Sequence, residues 1–370
     1  MKTAFITGIT GQDGSYLAEI LLEKDYRVFG FIRRSSTFNT YRIDHLIENY
    51  SRNRFSWYRG DLTDSDSIQQ ALADCRPDEI YHLGAQSHVG VSFEMPIYTY
   101  DTVATGTLRL LEAAKKLNLD TKIYLAGSSE MFGSANPPQS ESTPFEPCSP
   151  YAAAKVAGFY LGKHYREGYG MKVYNGILFN HESPRRGETF VTRKITRAAA
   201  RIAHGLQENL VLGNLDAKRD WGYAAEYVMG MWNMINKAEP GDYVLSTNTQ
   251  YSVREFVDST FNYIGIEVDW SGSGLNETAI ITKISDNCKE SGCKLAVGDR
   301  VVEVSEQYFR PAEVNSLLGD CSKSAQAFGW KANVDCDQLM KMMVDSDMSK
   351  CKLLLDGTRD TDDEWREYLI

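Results

Sequence analysis

Thr7-Gly8-Ile9-Thr10-Gly11-Gln12-Asp13-Gly14 follows a strand-like run, Ala4–Thr7, and opens an amphipathic segment, Tyr16–Lys24. Glycines at this spacing permit a tight turn, a close approach of the backbone to a pyrophosphate and close packing of helix on strand. The amino terminus of the helix adds N–H donors and a dipole that favour phosphate. The stretch therefore predicts a dinucleotide site rather than a plain strand-to-helix turn. The expected cofactor-binding residues here are Gly8, Gly11, Gln12, Asp13 and Gly14.

Strand-like and helical patterns alternate through the first 180 residues, which predicts a doubly wound parallel Rossmann sheet of the α/β class. The predicted strands are Ala4–Thr7, Val28–Ile32, Phe55–Tyr58, Glu79–Leu83, Ile123–Ala126 and Val173–Phe179. The predicted helices between them are Tyr16–Lys24, Ser67–Cys75, Thr105–Leu117 and Ala152–Arg166. After Asn180 the pattern becomes mixed, which predicts a smaller mixed α/β C-terminal domain. Beyond Asn180, helices are expected at Arg193–Gly205, Ala224–Lys237, Val253–Ile264 and Asp337–Asp347, and a short strand at Asn209–Leu212. A further strand, Tyr243–Ser246, is expected to return to the main sheet.

Composition and charge exclude several classes of protein. The 370-residue chain has a formal net charge of -10, which argues against a nucleic-acid binder because such proteins carry a basic patch. No run of about eighteen apolar residues occurs, so we expect a soluble, cytoplasmic chain that does not span a membrane. Seven scattered cysteines fit reduced thiols better than a disulfide framework. Cys288 and Cys293 lack a second Cys or His pair, so we expect surface-loop thiols and no metal site.

The end of the second predicted strand distinguishes between the two dinucleotides. NAD sites place an acidic residue there for the ribose 2′-hydroxyl, whereas this chain has Arg33-Arg34-Ser35-Ser36. Two guanidinium groups and two hydroxyls suit a 2′-phosphate, which predicts NADP; a solvated basic loop is the alternative. Weaker cofactor candidates follow the next two strands, although Asp61 could equally be a turn residue. They are Asp61, Leu62, Leu83, Ala85 and Ser87.

The catalytic candidates are a tyrosine and a lysine four residues apart on a predicted helix, Tyr151 and Lys155. They share a helix face, where an ammonium beside the phenol favours the phenolate as a base for an alcohol proton. Ser128 adds a hydroxyl that can hold the alcohol, and Glu130 adds a carboxylate for a second proton transfer. An enzyme that only oxidises alcohols has no use for that carboxylate, so the group raises the possibility of dehydration. Taken alone, Glu130 is more often a solvated surface group.

These residues resemble the extended short-chain dehydrogenase/reductase superfamily and, within it, the GDP-mannose 4,6-dehydratase family. The resemblance covers about residues 1–275 and resumes over about 305–345. The matching stretches are Thr7–Gly14, Arg33–Ser36 with Phe38–Thr40, Ser128–Glu130, Asn180–Glu188, Arg219–Gly222 and Arg310–Glu313. Long, ordered matches of this kind are more specific than any single motif.

The resemblance implies a role for each catalytic residue. Tyr151 takes the proton of the sugar 4-hydroxyl while hydride passes from C4 to NADP, and Lys155 supports it and holds the nicotinamide ribose. Ser128 stands where the family commonly has threonine and binds the 4-oxygen. Glu130 removes the C5 proton and helps the 6-hydroxyl leave as water, and the hydride returns at C6. The implied product is GDP-4-keto-6-deoxymannose, which leads toward GDP-fucose, GDP-rhamnose and related deoxysugars.

The resemblance also implies a nucleotide-sugar site and further cofactor contacts. His181 and Arg186 join the cofactor-binding residues, as do Tyr151 and Lys155. Lys194 and Arg219 could instead be ordinary surface cations. The implied substrate-binding residues for GDP-mannose are Ser87, Ser128, Glu130, Asn180, Val191, Lys194, Gly213, Lys218, Arg219, Arg310 and Glu313.

In the resembling family the loop with Arg185 and Arg186 crosses to a neighbouring subunit's NADP, which implies a homodimer or homotetramer; unaided, it reads as an exposed basic turn. The NADP-binding Rossmann domain is expected over 1–180 and about 215–250, and the nucleotide-sugar-binding domain over about 181–214 and 251–370. Residues Thr278–Glu303 look like an insertion near the substrate-domain loops.

The leading function is therefore a GDP-mannose 4,6-dehydratase, a hydro-lyase that uses NADP. Three alternatives stay open at this point: a 4,6-dehydratase of another GDP-sugar such as a GDP-heptose, a nucleotide-sugar epimerase or reductase, and a non-enzymatic NADP sensor. Glu130 argues against an epimerase, and the set Ser128, Tyr151 and Lys155 argues against a sensor.

Overall fold

The computed structural model describes residues 1–357. Those residues contain fifteen strands, numbered in chain order. They are β1 Thr3–Thr7, β2 Arg27–Ile32, β3 Phe55–Arg59, β4 Glu79–His82, β5 Lys122–Ala126, β6 Lys172–Leu178, β7 Asn180–Glu182, β8 Leu210–Leu212, β9 Lys218–Arg219, β10 Trp221–Tyr223, β11 Asp242–Leu245, β12 Tyr251–Ser252, β13 Ile266–Ser271, β14 Thr278–Ile284 and β15 Arg300–Val304.

The same residues contain thirteen α-helices. They are α1 Gln12–Glu23, α2 Asp44–Asn49, α3 Ser65–Cys75, α4 Val89–Glu94, α5 Pro96–Tyr100, α6 Gly106–Lys116, α7 Pro150–Tyr169, α8 Val191–Ala203, α9 Ala224–Lys237, α10 Val253–Tyr263, α11 Asp286–Glu290, α12 Ser322–Phe328 and α13 Cys336–Leu355. A π-helical turn, Asp101–Thr105, precedes α6, and a 3-10 turn, Ser129–Met131, follows β5.

The first compact unit consists of Met1–His181, Asp220–Thr249 and Ser316–Asn333. Its seven-stranded sheet has the order β11-β6-β5-β4-β1-β2-β3, and every neighbouring pair is parallel. Apart from the edge strand β3, these strands are mostly buried, as expected where helices cover both faces. Strand order reverses between β1 and β4, which is where doubly wound sheets bind ligands, at the carboxyl ends of their strands. The predicted α/β Rossmann sheet is confirmed.

The second compact unit consists of Glu182–Arg219, Gln250–Asn315 and the chain from Val334 onward. Its sheet has the order β13-β14-β15-β8, with two antiparallel pairs and one parallel pair. Helices α8, α10 and α13 pack together beside it. A buried ion pair between Arg193 and Asp347 joins α8 to α13, and Thr196 Oγ1 donates to the same carboxylate at 2.8 Å. This unit is smaller and mixed α/β, as the sequence predicts.

The division of the chain differs from the expected boundaries at Ser316–Asn333, which belongs to the first unit. Helix α12 packs on β11 and α9, and Trp330 Nε1 donates to the carbonyl of Ser246 at 2.9 Å. The expected domain over 251–370 is therefore interrupted, and its final part, residues 358–370, lies outside the described residues.

The segment Thr278–Glu303, which the sequence suggests is an insertion, forms regular structure. This segment supplies β14 and most of β15, two of the four strands of the second sheet. Cys288 is not a surface-loop thiol, because it lies on α11 and is 2% exposed.

Candidate active site

The turn between β1 and α1 forms a glycine cradle against the turn after β4. Gly8 has φ +72°, and a Cβ placed on it would lie 2.9 Å from the backbone of Gly84. A Cβ on Gly14 would lie 2.4 Å from the carbonyl oxygen of Gly8. The amide of Gly11 donates to that same oxygen at 2.9 Å. Only glycine fits these positions, and the bare backbone at the start of α1 suits a pyrophosphate.

Hydrogen bonds between Asp13, Gln12 and His181 fix the first residues of α1. Asp13 Oδ2 lies 2.8 Å from His181 Nε2, and His181 Nδ1 lies 2.7 Å from the carbonyl oxygen of Phe179. One ring nitrogen thus faces a carboxylate oxygen and the other a carbonyl oxygen, both of which accept hydrogen bonds. Gln12 Nε2 donates to Asp13 Oδ1 and to the His181 carbonyl, at 2.9 and 3.1 Å. The structure thus brings together three of the predicted cofactor residues.

The predicted 2′-phosphate site lies in an exposed loop directly after β2. Residues 33–36 are all exposed, and Arg33 Nη1 donates to Tyr98 Oη at 2.8 Å. Two arginines and two serines at the carboxyl end of this strand leave the loop positively charged. The arrangement suits an additional phosphate on the ribose.

The weaker cofactor candidates lie at the ends of β3 and β4. Asp61 Oδ1 accepts hydrogen bonds from Thr63 N and Oγ1, both at 2.9 Å, so its side chain stabilises a turn. Leu62 is buried and its side chain contacts Gly84. Ala85 packs against the cluster of Val103, Ala104 and Ala154, whereas Ser87 is exposed.

Tyr151 and Lys155 lie on the first turns of α7. Pro150 occupies the first helical position and Ser149 Oγ accepts from Ala152 N at 3.0 Å, which caps the helix. Lys155 Nζ donates to the carbonyl of Ala126 at the end of β5, at 2.7 Å, and lies 5.8 Å from the centroid of the Tyr151 ring. Burial lowers the pKa of Lys155 to about 8, while the charge of Asp13 opposes that shift. The phenol is 8% exposed, so the charged lysine lies beside a nearly buried tyrosine.

Ser128 and Glu130 lie just past the end of β5, two and four residues beyond Ala126. Ser128 Oγ accepts from the amide of Glu130 at 3.2 Å, which fixes the start of the 3-10 turn. Glu130 is 8% exposed, so the interpretation as a solvated surface carboxylate is wrong. Because Lys155 bonds to Ala126, the four predicted catalytic residues all lie where β5 meets the start of α7.

The second unit holds most of the other predicted substrate residues. Lys194 Nζ lies 3.2 Å from the centroid of the Tyr308 ring, and burial lowers the pKa of this lysine to about 8. A Cβ on Gly213 would lie 2.5 Å from the Tyr308 carbonyl. Arg219 is buried and donates to the carbonyl of Val314 at 2.8 Å. Both cations are therefore fixed in the unit rather than being free surface charges.

Other predicted substrate residues are divided between the two units. Glu313 Oε1 accepts from the amide of Arg310 at 3.2 Å. Val191 is the first residue of α8, and Lys218 is exposed on β9. Asn180 lies in the first unit, where its Oδ1 is buried without a hydrogen-bond partner among residues 1–357.

The loop with Arg185 and Arg186 is not simply an exposed basic turn. Arg186 Nε lies 3.1 Å from the buried Glu182 carboxylate, and its guanidinium lies 3.7 Å from the centroid of the Phe190 ring. Both arginines are half-buried, and the amide of Arg185 donates to Ser183 Oγ at 3.0 Å.

Comparison with known proteins identifies the family. The model of the GDP-mannose 4,6 dehydratase family matches residues 5–343. This chain belongs to that family. A GDP-mannose 4,6-dehydratase from Vibrio cholerae serotype O1 is 52% identical over 356 residues, 95% of each protein. A GDP-mannose 4,6 dehydratase from Arabidopsis thaliana is 51% identical, and the match covers 95% of this chain and 91% of that protein.

The fold agrees with solved structures of more distant enzymes. A UDP-glucose 4-epimerase from Thermus thermophilus, solved in complex with NAD, matches with a TM-score of 0.71 at 22% identity. The match covers 93% of this chain and 98% of the epimerase. At this identity the likeness concerns the fold alone.

Some residues of this GDP-mannose 4,6-dehydratase family member support the site but carry little or no signal in the sequence. Ser149 precedes a proline-started helix and could have been read as its cap. His82, Thr7 and Thr107 are buried and joined by hydrogen bonds, but their spacing along the chain carries no signal. Tyr308 contacts Lys194 from a distant part of the sequence, so no local pattern predicts this pair.

Two further findings concern membrane-spanning helices and metal sites among the described residues. No helix within residues 1–357 is both long and apolar enough to cross a membrane. In the same range, no three side chains of His, Cys, Asp or Glu form a group that could hold a metal ion. The glycine cradle and the exposed arginine loop fit NADP, since together they offer a bare backbone to a pyrophosphate and two cations to a 2′-phosphate.

Proposed function

We propose that the chain is an NADP-dependent hydro-lyase that converts GDP-mannose to GDP-4-keto-6-deoxymannose. The observation that carries the proposal is the nearly buried carboxylate of Glu130. It lies with Ser128 just past the end of β5, where Lys155 donates a hydrogen bond to the backbone. A tyrosine–lysine pair is sufficient to oxidise an alcohol, whereas a dehydration needs a second acid–base group. Relatives named as GDP-mannose 4,6-dehydratases, at about 50% identity over nearly the full length, support the same substrate.

The first proton transfer is assigned to Tyr151. Its phenolate accepts the proton of the sugar 4-hydroxyl, and the neighbouring Lys155 ammonium stabilises that phenolate. The hydroxyl of Ser128 donates to the 4-oxygen and holds it near the phenol. NADP, when bound, supplies a reversible store for the hydrogen that leaves C4 and returns at C6, so no net oxidation results. Gly8, Gly11, Gly14 and His181 belong to the residues that would hold it.

The second and third proton transfers are assigned to Glu130. Its carboxylate removes the C5 proton, which the adjacent 4-ketone has made acidic. The carboxylic acid formed in this way then donates that proton to the 6-hydroxyl, which leaves as water. When hydrogen returns at C6, C5 takes a proton from the Tyr151 phenol, which thereby gives up the proton that it took from the 4-hydroxyl. One buried group thus acts as base and then as acid, and its burial excludes bulk water from competing for the proton.

The state of Lys155 leads to a prediction for the pH dependence. Because burial lowers its pKa to about 8, the ammonium loses its proton above that pH and no longer stabilises the Tyr151 phenolate. We expect kcat/KM for GDP-mannose, which reports on the free enzyme, to fall above about pH 8. A Lys155→Arg variant keeps its charge at higher pH and should lack that descending limb. A descending limb at the same pH in both proteins would contradict the assignment.

The choice of NADP over NAD is assigned to Arg33 and Arg34. Replacing both by alanine removes two charge-assisted contacts to the 2′-phosphate, so the dissociation constant of NADP should rise about 10- to 100-fold. The dissociation constant of NAD should change by less than about twofold. Equilibrium titration of both dinucleotides measures the difference. Equal losses for the two cofactors would show that the loop does not read the 2′-phosphate.

The diphosphate and guanosine of GDP are assigned to residues of the second unit. Lys194, Arg219 and Arg310 supply the positive charge that two phosphates need, and Glu313 is the partner for ribose or guanine. Val191, Gly213 and Lys218 complete the nucleotide contacts, with Asn180 and Ser87 toward the sugar. The family resemblance further supports a cytoplasmic homodimer or homotetramer in which Arg185 and Arg186 approach a neighbouring subunit's cofactor.

Incubation with a panel of GDP- and dTDP-sugars and a catalytic amount of NADP tests the function, with mass spectrometry as the readout. The proposal predicts that GDP-mannose loses one water while no reduced cofactor accumulates. Conversion of a GDP-heptose alone would favour the rival dehydratase. A change without loss of mass would favour an epimerase, and turnover of no sugar would favour a non-catalytic NADP-binding protein.

A further inference from the structure

His82 is a buried imidazole at the carboxyl end of β4, beside the cofactor turns but outside the proton transfers described above. It is 5% exposed, and its hydrogen-bond partners Thr7 and Thr107 are 0% and 6% exposed. Thr7 Oγ1 lies 2.9 Å from His82 Nδ1, and Thr107 Oγ1 lies 3.2 Å from His82 Nε2. Burial, and secondarily the nearby charge of Lys155, lower the pKa of His82 to about 3. The ring is therefore neutral at physiological pH.

The hydrogen bonds around His82 have only one consistent direction. The Thr107 hydroxyl donates to the carbonyl of Val103 at 2.7 Å, so it must accept from His82 Nε2–H. A neutral ring has one N–H, so Nδ1 accepts from the Thr7 hydroxyl. Thr7 Oγ1 in turn accepts from the amide of Gly84 at 3.0 Å. The result is one polarised chain that starts at the Gly84 amide and ends at the Val103 carbonyl, with no buried group in it unsatisfied.

This series of hydrogen bonds connects the cofactor turns with the helix that carries the catalytic residues. Gly84 is the residue whose backbone touches Gly8 in the glycine cradle. At the other end, Thr107 Oγ1 lies 3.5 Å from where a Cβ on Gly158 would be. Gly158 is one helical turn after Lys155 on α7, on nearly the same face. The chain thus runs from the cofactor turns to the helix that carries Tyr151 and Lys155.

We propose that His82 is a positioning residue for the NADP site, a neutral connector that fixes the Gly8 and Gly84 turns relative to α7. It acts through Thr7 and Thr107 and does not touch the reacting atoms. A neutral ring also avoids a second positive charge beside Lys155. The inference rests on the proposed use of NADP and adds a residue that sets its affinity.

The test measures the NADP dissociation constant of His82→Phe, which keeps a flat ring of similar size and removes both hydrogen bonds. Loss of these hydrogen bonds should raise the NADP dissociation constant at least about tenfold, because the glycine cradle is no longer held in place. The dissociation constant of GDP, measured separately, should change by less than about twofold. Thr107→Val should reproduce the loss, whereas Thr107→Ser keeps the hydroxyl and should restore the wild-type value.

The double variant separates positioning from a general packing defect. His82→Phe and Thr107→Val break the same series of hydrogen bonds. The fold-change in the NADP dissociation constant of the double variant should therefore be much smaller than the product of the two single fold-changes. If His82→Phe does not fold, the Thr107→Val and Thr107→Ser pair decides alone. Unchanged NADP affinity in folded His82→Phe or Thr107→Val, or fully multiplicative effects, would overturn the proposal. Absence of NADP binding by the wild-type protein would instead refute the assigned cofactor.

Discussion

Replacing Glu130 by glutamine is expected to abolish dehydration while C4 oxidation continues. The amide has nearly the same shape as the carboxylate but cannot accept the C5 proton or donate to the 6-hydroxyl. Loss of an acid–base group of this kind should lower kcat by about 10²- to 10⁴-fold. In deuterated water the wild-type protein should incorporate deuterium at C5 and the variant should not, as measured by NMR of the product or of recovered substrate.

A matched control makes the same chemical change away from the site. Glu290 is exposed on α11, and Glu290→Gln should turn over GDP-mannose at the wild-type rate. The GDP dissociation constant of Glu130→Gln should also stay within about twofold of wild type, because the nucleotide is held elsewhere. Wild-type turnover by Glu130→Gln would remove Glu130 from the mechanism.

Tyr151→Phe is expected to stop the reaction one step earlier. Without the phenolic oxygen no base takes the 4-hydroxyl proton, so the rate of C4 oxidation should fall by about 10²- to 10⁴-fold. Single-turnover absorbance of the reduced nicotinamide measures this step directly. Deuterium exchange at C5 should be lost as well, since that proton becomes acidic only after the 4-ketone has formed.

The control for this variant lies on the same helix. Tyr160 is 55% exposed on α7, and Tyr160→Phe should leave the rate of C4 oxidation unchanged. The two catalytic variants also distinguish their roles: Glu130→Gln retains C4 oxidation and Tyr151→Phe does not. If Tyr151→Phe oxidised C4 at the wild-type rate but failed only at dehydration, the assigned roles would be reversed.

The Rossmann sheet and its cofactor turn could be predicted from sequence because their signals are local. The glycine spacing after β1 and the arginines after β2 each lie within eight residues. A Tyr-x-x-x-Lys pair likewise needs only helical periodicity to share a face. Each of these features is a property of one short stretch of the chain.

Other features depended on contacts between distant parts of the chain and had no local signal. Glu130 follows a strand like many surface carboxylates, and only packing buries it. Ser316–Asn333 belongs to the first unit because Trp330 and α12 pack on β11 and α9. Strand β15 pairs with β8, which lies far earlier in the chain, so no local pattern predicts that the segment completes a sheet.

The central claim is that the hydrogen removed from C4 of a sugar returns at C6 of the same molecule, with Glu130 removing water in between. GDP-mannose labelled with deuterium at C4 tests it most directly, in a mixture with unlabelled substrate and catalytic NADP. The account predicts a 4-keto-6-deoxy product with one deuterium at C6, with no transfer of label between molecules. Deuterium that is lost to solvent, stays at C4 or appears in free reduced cofactor would contradict it.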